Sequence, residues 1–210
     1  MPERTSLPPT RWALGGTKNA GYGRRFAELI DEGADVDGEG RLADALVPRG
    51  ARILDAGSGM GRVGGYLHTR GHRVVGAEPD PVLVEQSRRT FPDLRVLPLQ
   101  ILELDTTVLA EAGAPTELDL VVCVGNVLPF VAAGTEVAVL ERLRSLLAPG
   151  GRIMAGFHLT GGPDTARRYL PEEFVADVDV AGLRVEHRFG GYDLRPVDGE
   201  YAVWLLAPAG

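Results

Sequence analysis

The sequence predicts an α/β fold: a doubly wound, mostly parallel seven-stranded sheet with an antiparallel strand pair at the C-terminus. From residue 51 onward, short apolar runs alternate with segments of helical periodicity, which is typical of βαβ units. The run 118–124 is apolar at nearly every position, as expected for a strand buried on both faces. The last two predicted strands follow each other in the chain and are expected to pair antiparallel.

The individual elements follow from apolar spacing and from turn residues. Asp80 and Pro81 are the expected N-cap and first residue of one helix, and 149–151 (PGG) separates another helix from the strand that follows. The predicted strands are 52–54, 72–77, 94–99, 118–124, 152–157, 183–189 and 201–206. The predicted helices of this region are 62–70, 81–90, 135–147 and 171–180.

The N-terminal part of the chain has a different character. Residues 1–18 contain several prolines and glycines without periodicity, and we interpret them as a mobile arm or lid. Residues 20–32 suit a helix, and residues 41–47 suit a second, short helix that Pro48 stops. We therefore divide the chain into an N-terminal arm and cap helix, 1–40, and a main ligand-binding domain, 41–210.

Composition excludes several classes of protein. The formal net charge of −7 among 210 residues argues against binding to a phosphate backbone. The single cysteine, Cys123, cannot form an internal disulfide, and no pair of the four histidines has the spacing of metal ligands. No segment resembles a signal peptide or a membrane span. We expect a cytoplasmic protein without a bound metal.

The most informative segment is 53–61 (ILDAGSGMG), a strand that runs into three alternating glycines. Such glycines allow a ligand to approach the backbone closely. A dinucleotide site requires G-x-G-x-x-G, but Arg62 occupies the position of its third glycine, and the carboxylate of Asp55 would repel a pyrophosphate. Glu78 follows the next strand, about 20 residues after the turn, where an acid binds ribose hydroxyls. A cationic, phosphate-free adenosine compound fits better.

Four segments in order resemble the class I S-adenosylmethionine-dependent methyltransferases. Residues 55–61 (DAGSGMG) resemble the family's first motif, and residues 76–80 (GAEPD) resemble the acidic loop after it. Residues 119–126 (DLVVCVGN) are similar to its fourth motif, and residues 146–153 (LLAPGGRI) lead into its fifth strand. The resemblance covers roughly residues 40–207. It implies a Rossmann-like fold and S-adenosylmethionine as cofactor.

The resemblance also implies roles for individual residues. The turn 56–61 would surround the methionine part of the cofactor, and Asp55 would hold its ammonium group. Glu78 would bind the ribose hydroxyls, and Pro79 would line the adenine. Gln100 stands where the family often has an aspartate that contacts the adenine amino group. The implied cofactor-binding set is Asp55, Ala56, Gly57, Ser58, Gly59, Gly61, Glu78, Pro79, Gln100, Ile101, Gly125 and Asn126.

We predict a small-molecule acceptor for the methyl group. The acidic balance disfavours nucleic acid, and 125–129 (GNVLP) replaces the family's motif for methylating base amines. His158, which follows the fifth strand, is the candidate catalytic base. Candidate acceptor-binding residues are Tyr22, Arg25, Asn126 and His158. Two further tyrosines, Tyr169 and Tyr192, are candidates either to close the site or, equally, to pack in the core.

Two alternatives remain open at this stage. The first is an NAD-dependent oxidoreductase, against which the missing glycine at position 62 and the C-terminal strand pair both argue. The second is a non-catalytic module that binds S-adenosylmethionine for regulation or assembly.

Overall fold

One seven-stranded sheet forms the centre of the computed structural model, which describes residues 7–210. The strands are β1 (Arg52–Ala56), β2 (Arg73–Ala77), β3 (Arg95–Leu97), β4 (Leu118–Cys123), β5 (Leu147–His158), β6 (Leu183–Phe189) and β7 (Tyr201–Pro208). Their order in the sheet is β3-β2-β1-β4-β5-β7-β6. The first five strands are parallel, and β7 runs antiparallel to both β5 and β6. The predicted fold class is confirmed.

Short to medium helices connect these strands and precede the first of them. They are α1 (Arg11–Gly15), α2 (Tyr22–Asp31), α3 (Gly38–Ala45), α4 (Arg62–Thr69), α5 (Pro81–Thr90), α6 (Thr106–Glu111), α7 (Val127–Phe130), α8 (Glu136–Ser145) and α9 (Pro171–Val180). As predicted, the Asp80 carboxylate caps α5, accepting a hydrogen bond from the Val82 N–H, and Pro81 begins that helix. Between residues 7 and 210, no helix has the length and apolarity needed to span a membrane.

Alternating side chains on the central strands build one apolar core on each face of the sheet. Ile53 on β1 packs in the core that contains α3 and α4, whereas its neighbour Leu54 packs in the core that contains α8 and α9. The same alternation continues along β4 and β5. The residues that these helices contribute are Leu42, Ala43, Val63 and Leu67 on the first face and Val139, Leu140, Leu143, Phe174 and Val178 on the second.

The sheet changes direction between β1 and β4, and this is where a doubly wound fold opens a crevice. From β1 the chain moves outward to β2 and β3, and then crosses back to β4 on the other side of β1. Arg52 and Asp119 join the two strands at their amino ends, with a guanidinium nitrogen 2.7 Å from a carboxylate oxygen. The crevice of such a fold lies at the opposite ends of these strands, the carboxyl ends of β1 and β4.

Several predicted boundaries need correction. Residues 11–15 form a helix instead of an irregular arm, because the Thr10 side chain caps them by accepting a hydrogen bond from the Ala13 N–H. Strand β5 begins at Leu147, so Pro149 lies within it, next to a shift in its pairing with β4. The short helices α6 and α7 were not predicted, since neither is long enough to show periodicity. Residues 1–6 of the predicted arm lie outside the described residues.

Four aromatic rings hold the C-terminal helix against the sheet. Phe174 of α9 is fully buried, with its ring centroid 5.1 Å from Phe157, 5.3 Å from Tyr169 and 5.0 Å from Trp204. Of the two roles expected for Tyr169, the structure therefore supports packing in the core, and this residue does not line the cavity described below.

We expect Phe174→Ala to lower the free energy of unfolding by about 3–5 kcal/mol, because it removes the central ring of this cluster and leaves a cavity. Urea denaturation followed by circular dichroism measures the change. The matched control is Val175→Ala in the same helix, where the side chain is 43% exposed and a change within about 0.5 kcal/mol is expected. Equal destabilisation by the two substitutions would contradict the packing described here.

Candidate active site

A cavity of about 760 Å³ lies over the carboxyl ends of β1, β2 and β4, at the change of direction in the sheet. Most of the predicted site residues line it. They are Tyr22, Arg25, Asp55, Gly57, Ser58, Gly59, Glu78, Pro79, Gln100, Ile101, Gly125, Asn126 and His158. Residues from five strand ends and from the N-terminal helices therefore meet at one place.

Two predicted residues, Ala56 and Gly61, are not part of the cavity wall. Ala56 is fully buried in the core below the turn. Gly61 faces away from the cavity, and a Cβ there would collide with the Ser87 hydroxyl of α5. These residues support the turn from behind, so direct contact with a ligand in the cavity is not expected of them.

The glycine turn is shaped by positive backbone φ angles, which only glycine adopts without strain. The φ angles are +72° at Gly57 and +56° at Gly59. The N–H groups of Gly57 and Ser58 both donate to the Ala77 carbonyl at the end of β2, at 2.8 and 3.0 Å. A Cβ at Gly57 would lie 2.6 Å from the Val127 side chain. The turn therefore presents backbone, with little side-chain bulk, to the cavity.

Glu78 is held rigidly at the end of β2 by backbone donors. The Gly59 N–H donates to one carboxylate oxygen and the Asp80 N–H to the other, each at 2.9 Å. Desolvation, only partly offset by these bonds, raises the pKa of Glu78 to about 7. Each oxygen keeps a lone pair for a further donor. A carboxylate with two such positions suits a pair of neighbouring hydroxyl groups.

Asp55 is a second buried carboxylate, beneath the glycine turn. One oxygen accepts a hydrogen bond from the Gly64 N–H of α4 at 2.8 Å. Burial raises the pKa of Asp55 to about 6, and none of its ion-pair distances to a described basic side chain is within 4.0 Å. A buried carboxylate without an ion-pair partner favours a positively charged ligand. Two such carboxylates would repel the pyrophosphate of a dinucleotide.

Asn126 and His158 form a hydrogen-bonded pair on the other side of the cavity. The Asn126 side-chain oxygen accepts from the His158 backbone N–H at 2.9 Å and lies 3.1 Å from the His158 Nδ1. A backbone N–H can only donate, so the Asn126 atom that faces it must be the amide oxygen. That oxygen can only accept, so the His158 Nδ1 must carry the imidazole proton. Nε2 is then left as a proton acceptor. Desolvation lowers the pKa of His158, so the ring is neutral near pH 7.

The remaining predicted residues occupy the rim. Tyr22 lies above the glycine turn, with a ring carbon 3.7 Å from the position of a Cβ on Gly59. Arg25 lies one residue beyond Arg24 on the exposed side of α2. Gln100 contributes its backbone N–H to the Glu103 carboxylate at 2.7 Å, which fixes the loop after β3.

Sequence reasoning missed several wall residues, of which Trp12, Val127 and Tyr201 are the most prominent. Trp12 belongs to the segment predicted as an irregular arm, and its indole N–H donates to the Asp80 carboxylate at 2.8 Å. Tyr201 begins β7 and lies opposite His158 in the antiparallel pairing with β5. The sequence predicted only that the last two strands pair with each other. It did not predict that β7 also pairs with β5, so nothing in it indicated that Tyr201 would lie beside His158.

The buried carboxylates make stability depend on pH. A raised pKa means that the folded protein binds the Glu78 proton more tightly than the unfolded chain does, so this group favours folding most when protonated. We expect the free energy of unfolding to fall as pH rises from 4.5 to about 7, with a contribution from Glu78 of at most about 1.4 kcal/mol per pH unit.

Urea denaturation across this pH range tests the assignment. In Glu78→Gln the decrease with pH should be smaller than in the unsubstituted protein, because one titrating group is gone. Glu141→Gln, at an exposed position of α8, is the control and should leave the decrease unchanged. Identical pH dependence in Glu78→Gln and the unsubstituted protein would show that the Glu78 carboxylate is not desolvated.

Comparisons with known proteins agree with this geometry. A family model described as a methyltransferase domain matches residues 54–153, from β1 into β5. The chain is similar to a TehB-like S-adenosylmethionine-dependent methyltransferase from Corynebacterium glutamicum, with 33% sequence identity and a TM-score of 0.77. That similarity covers 89% of this chain and 96% of the other.

Curated relatives point to the same cofactor. A carboxy-S-adenosyl-L-methionine synthase from Pseudomonas putida is 30% identical over 186 residues, which is 82% of this chain and 73% of the relative. A protein of the same name from Pseudomonas entomophila is 31% identical over 146 residues, which is 65% of this chain but only 57% of the relative. By its fold, its glycine turn and these similarities, the chain belongs to the family of S-adenosylmethionine-dependent methyltransferases.

Proposed function

We propose that the chain transfers a methyl group from S-adenosylmethionine to a small-molecule acceptor. The observation that carries the proposal is the placement of two buried carboxylates, Asp55 and Glu78, on either side of a glycine turn that admits a ligand. The bound cofactor supplies a methyl group already activated by a positive sulfonium. The protein therefore needs mainly to bind and align the two reactants, which can supply about 7–11 kcal/mol of the barrier.

The residues present fit the cofactor at both of its polar ends. The two remaining acceptor positions on Glu78 suit the ribose hydroxyls. The Asp55 carboxylate, which has no ion-pair partner within 4.0 Å among residues 7–210, suits the ammonium of the methionine part. The backbone of Gly57 and Gly59 leaves room for the part of the cofactor that joins the ribose to the ammonium group. Pro79, Gln100 and Ile101, which line the cavity beyond Glu78, are assigned to the adenine.

On the acceptor side, the Asn126–His158 pair is arranged for proton removal. Asn126 holds the imidazole with its proton on Nδ1, so Nε2 is available to take a proton from a hydroxyl or amine as it is methylated. Gly125, which also lines the cavity, adds no side chain between this pair and the glycine turn. Tyr22 and Arg25 on α2 are assigned to binding the acceptor.

A small acceptor is favoured by how the cavity is covered. Helices α1 and α2 lie over it, and Trp12, Tyr22 and Phe130 form edge-to-face aromatic contacts across that cover, with centroids 5.5 and 5.2 Å from Trp12. The net charge of −7 is unfavourable for a nucleic acid substrate. A polymer would have to displace the aromatic cover, whereas a small molecule could fit within the 760 Å³ beside the cofactor.

A second candidate function follows from the curated relatives, which are named carboxy-S-adenosyl-L-methionine synthases. In that function a second substrate would give up a carboxyl group as carbon dioxide, and the methyl carbon of the cofactor would lose a proton and form the new bond to it. Lys18, Arg24 and Arg25 line the mouth of the cavity and would favour the additional negative charge. Mass spectrometry separates the two functions: methyl transfer releases S-adenosylhomocysteine, whereas the synthase reaction yields a carboxylated S-adenosylmethionine.

We expect Gly57→Ala to weaken S-adenosylhomocysteine binding about tenfold or more, equal to at least about 1.4 kcal/mol, because the added methyl group collides with Val127 and reshapes the turn. Isothermal titration calorimetry measures the affinity. Gly50→Ala is the matched control, since Gly50 has a similar φ of +74° but open space around a Cβ. Gly50→Ala carries the same backbone strain and should bind S-adenosylhomocysteine with the affinity of the unsubstituted protein.

Absence of S-adenosylhomocysteine binding to the unsubstituted protein, together with binding of NADH, would overturn the proposed cofactor. If Gly57→Ala and Gly50→Ala bound S-adenosylhomocysteine equally well, the turn would not be the cofactor site.

The proposed base is tested by methyl transfer from labelled S-adenosylmethionine to the small-molecule fraction of a cell extract. We expect His158→Asn to lower the initial rate by about 10²–10⁴-fold, because proton removal is lost while cofactor binding is kept. His68→Asn, at an exposed position of α4, should keep the full rate. An unchanged rate in His158→Asn would exclude the base, and no transfer by the unsubstituted protein would favour a non-catalytic binding module.

A further inference from the structure

We propose that Tyr201, oriented by Tyr192, binds the acceptor through its hydroxyl group. The acceptor is then a planar molecule whose methyl-accepting oxygen or nitrogen has a hydrogen-bond-accepting atom beside it. This inference rests on the proposed methyl transfer and adds a substrate class to it.

The two tyrosines form a built pair in the wall of the cavity. Their hydroxyl oxygens are 2.7 Å apart, and both side chains line the cavity. Gly156 of β5 lies beneath them, and a Cβ at that position would collide with the Tyr192 hydroxyl. The strand therefore has a glycine where the pair needs space.

The two hydroxyl groups carry two protons, and the hydrogen bond between them uses one, which leaves the other for a ligand. A single O–H donates within the pair, and neither hydroxyl donates to any other group among residues 7–210. Either hydroxyl can be the donor within the pair, because an O–H proton rotates to suit its neighbours. When the Tyr192 hydroxyl donates to the Tyr201 oxygen, the Tyr201 proton is available to the cavity.

The chemistry of the pair selects a neutral or negative hydrogen-bond acceptor. Desolvation raises the pKa of both tyrosines, so both stay protonated near pH 7. A carbonyl, ether, hydroxyl or carboxylate oxygen, or a ring nitrogen, can accept from such a phenol. An ammonium group cannot.

The neighbouring histidine determines what must lie beside that acceptor atom. Tyr201 and His158 are paired in the register of β5 and β7, and their rings contact edge to face, with centroids 4.8 Å apart. A ligand that gives its proton to His158 and accepts one from Tyr201 must carry the two polar atoms close together. The rings of Trp12 and Tyr22 contact each other edge to face and line the cavity, so they offer aromatic surface against which a flat molecule can pack.

The test uses catechol and salicylamide, which have this arrangement, and phenol, which lacks the second polar atom. Affinity for the protein saturated with S-adenosylhomocysteine is measured by calorimetry. We expect both bifunctional probes to bind about tenfold more tightly than phenol, and Tyr201→Phe to reduce this preference to within about twofold. Phenol and S-adenosylhomocysteine affinities should stay unchanged, because the aromatic ring is kept.

Two further variants separate binding from structural effects. Tyr192→Phe should reduce the preference partly, because Tyr201 loses the donor that orients it. Tyr66→Phe, a tyrosine of α4 outside the cavity, should leave the preference intact.

Either of two results would overturn the inference: no preference for catechol and salicylamide over phenol in the unsubstituted protein, or full preference in Tyr201→Phe. Both assume that S-adenosylhomocysteine binds. Failure of that binding would contradict the proposed function itself, so the two failures can be distinguished.

Discussion

The hydrogen bond from the Gly59 N–H to the Glu78 carboxylate is the contact on which the rest of the site depends. It joins the turn after β1 to the end of β2, so the backbone and the acid that we propose to bind the cofactor are held as one unit. Burying Glu78 and Asp55 has a cost in desolvation, which is visible in their raised pKa values. Donor groups and positive charge on a ligand would offset that cost, which supports the roles that we propose for both carboxylates.

The N-terminal segment completes the cavity by contacting both sides of its opening. Trp12 donates to Asp80 just beyond β2, and Arg11 pairs with Glu136 at the start of α8, at 3.0 Å. Arg167, from the loop after β5, binds the same Glu136 oxygen at 2.9 Å. The cover is thus tied to segments that follow β2, β4 and β5. This connection limits the open space in the cavity, and the proposal of a small acceptor rests partly on it.

The accuracy of the sequence-based site differed between its two halves. Most residues predicted for the cofactor line one cavity, because Asp55, the glycines and Glu78 lie at strand ends of one βαβ unit, whose geometry is standard. Ala56 and Gly61 were included only because they belong to the same motif, and their side of the turn faces the core. The acceptor side was incomplete: Trp12 and Tyr201 come from opposite ends of the chain, and no local pattern relates either of them to His158.

The sequence by itself determined the class of fold, the position of the turn and the cofactor family, because periodicity and the need for positive φ at glycine are local properties. Only the tertiary structure decided which side chains share the cavity, which carboxylates are desolvated, and which imidazole nitrogen is left to accept a proton. Those properties arise where distant segments meet. The antiparallel insertion of β7 between β5 and β6 brings Tyr201 to His158 in the wall of a cavity that the N-terminal helices also line.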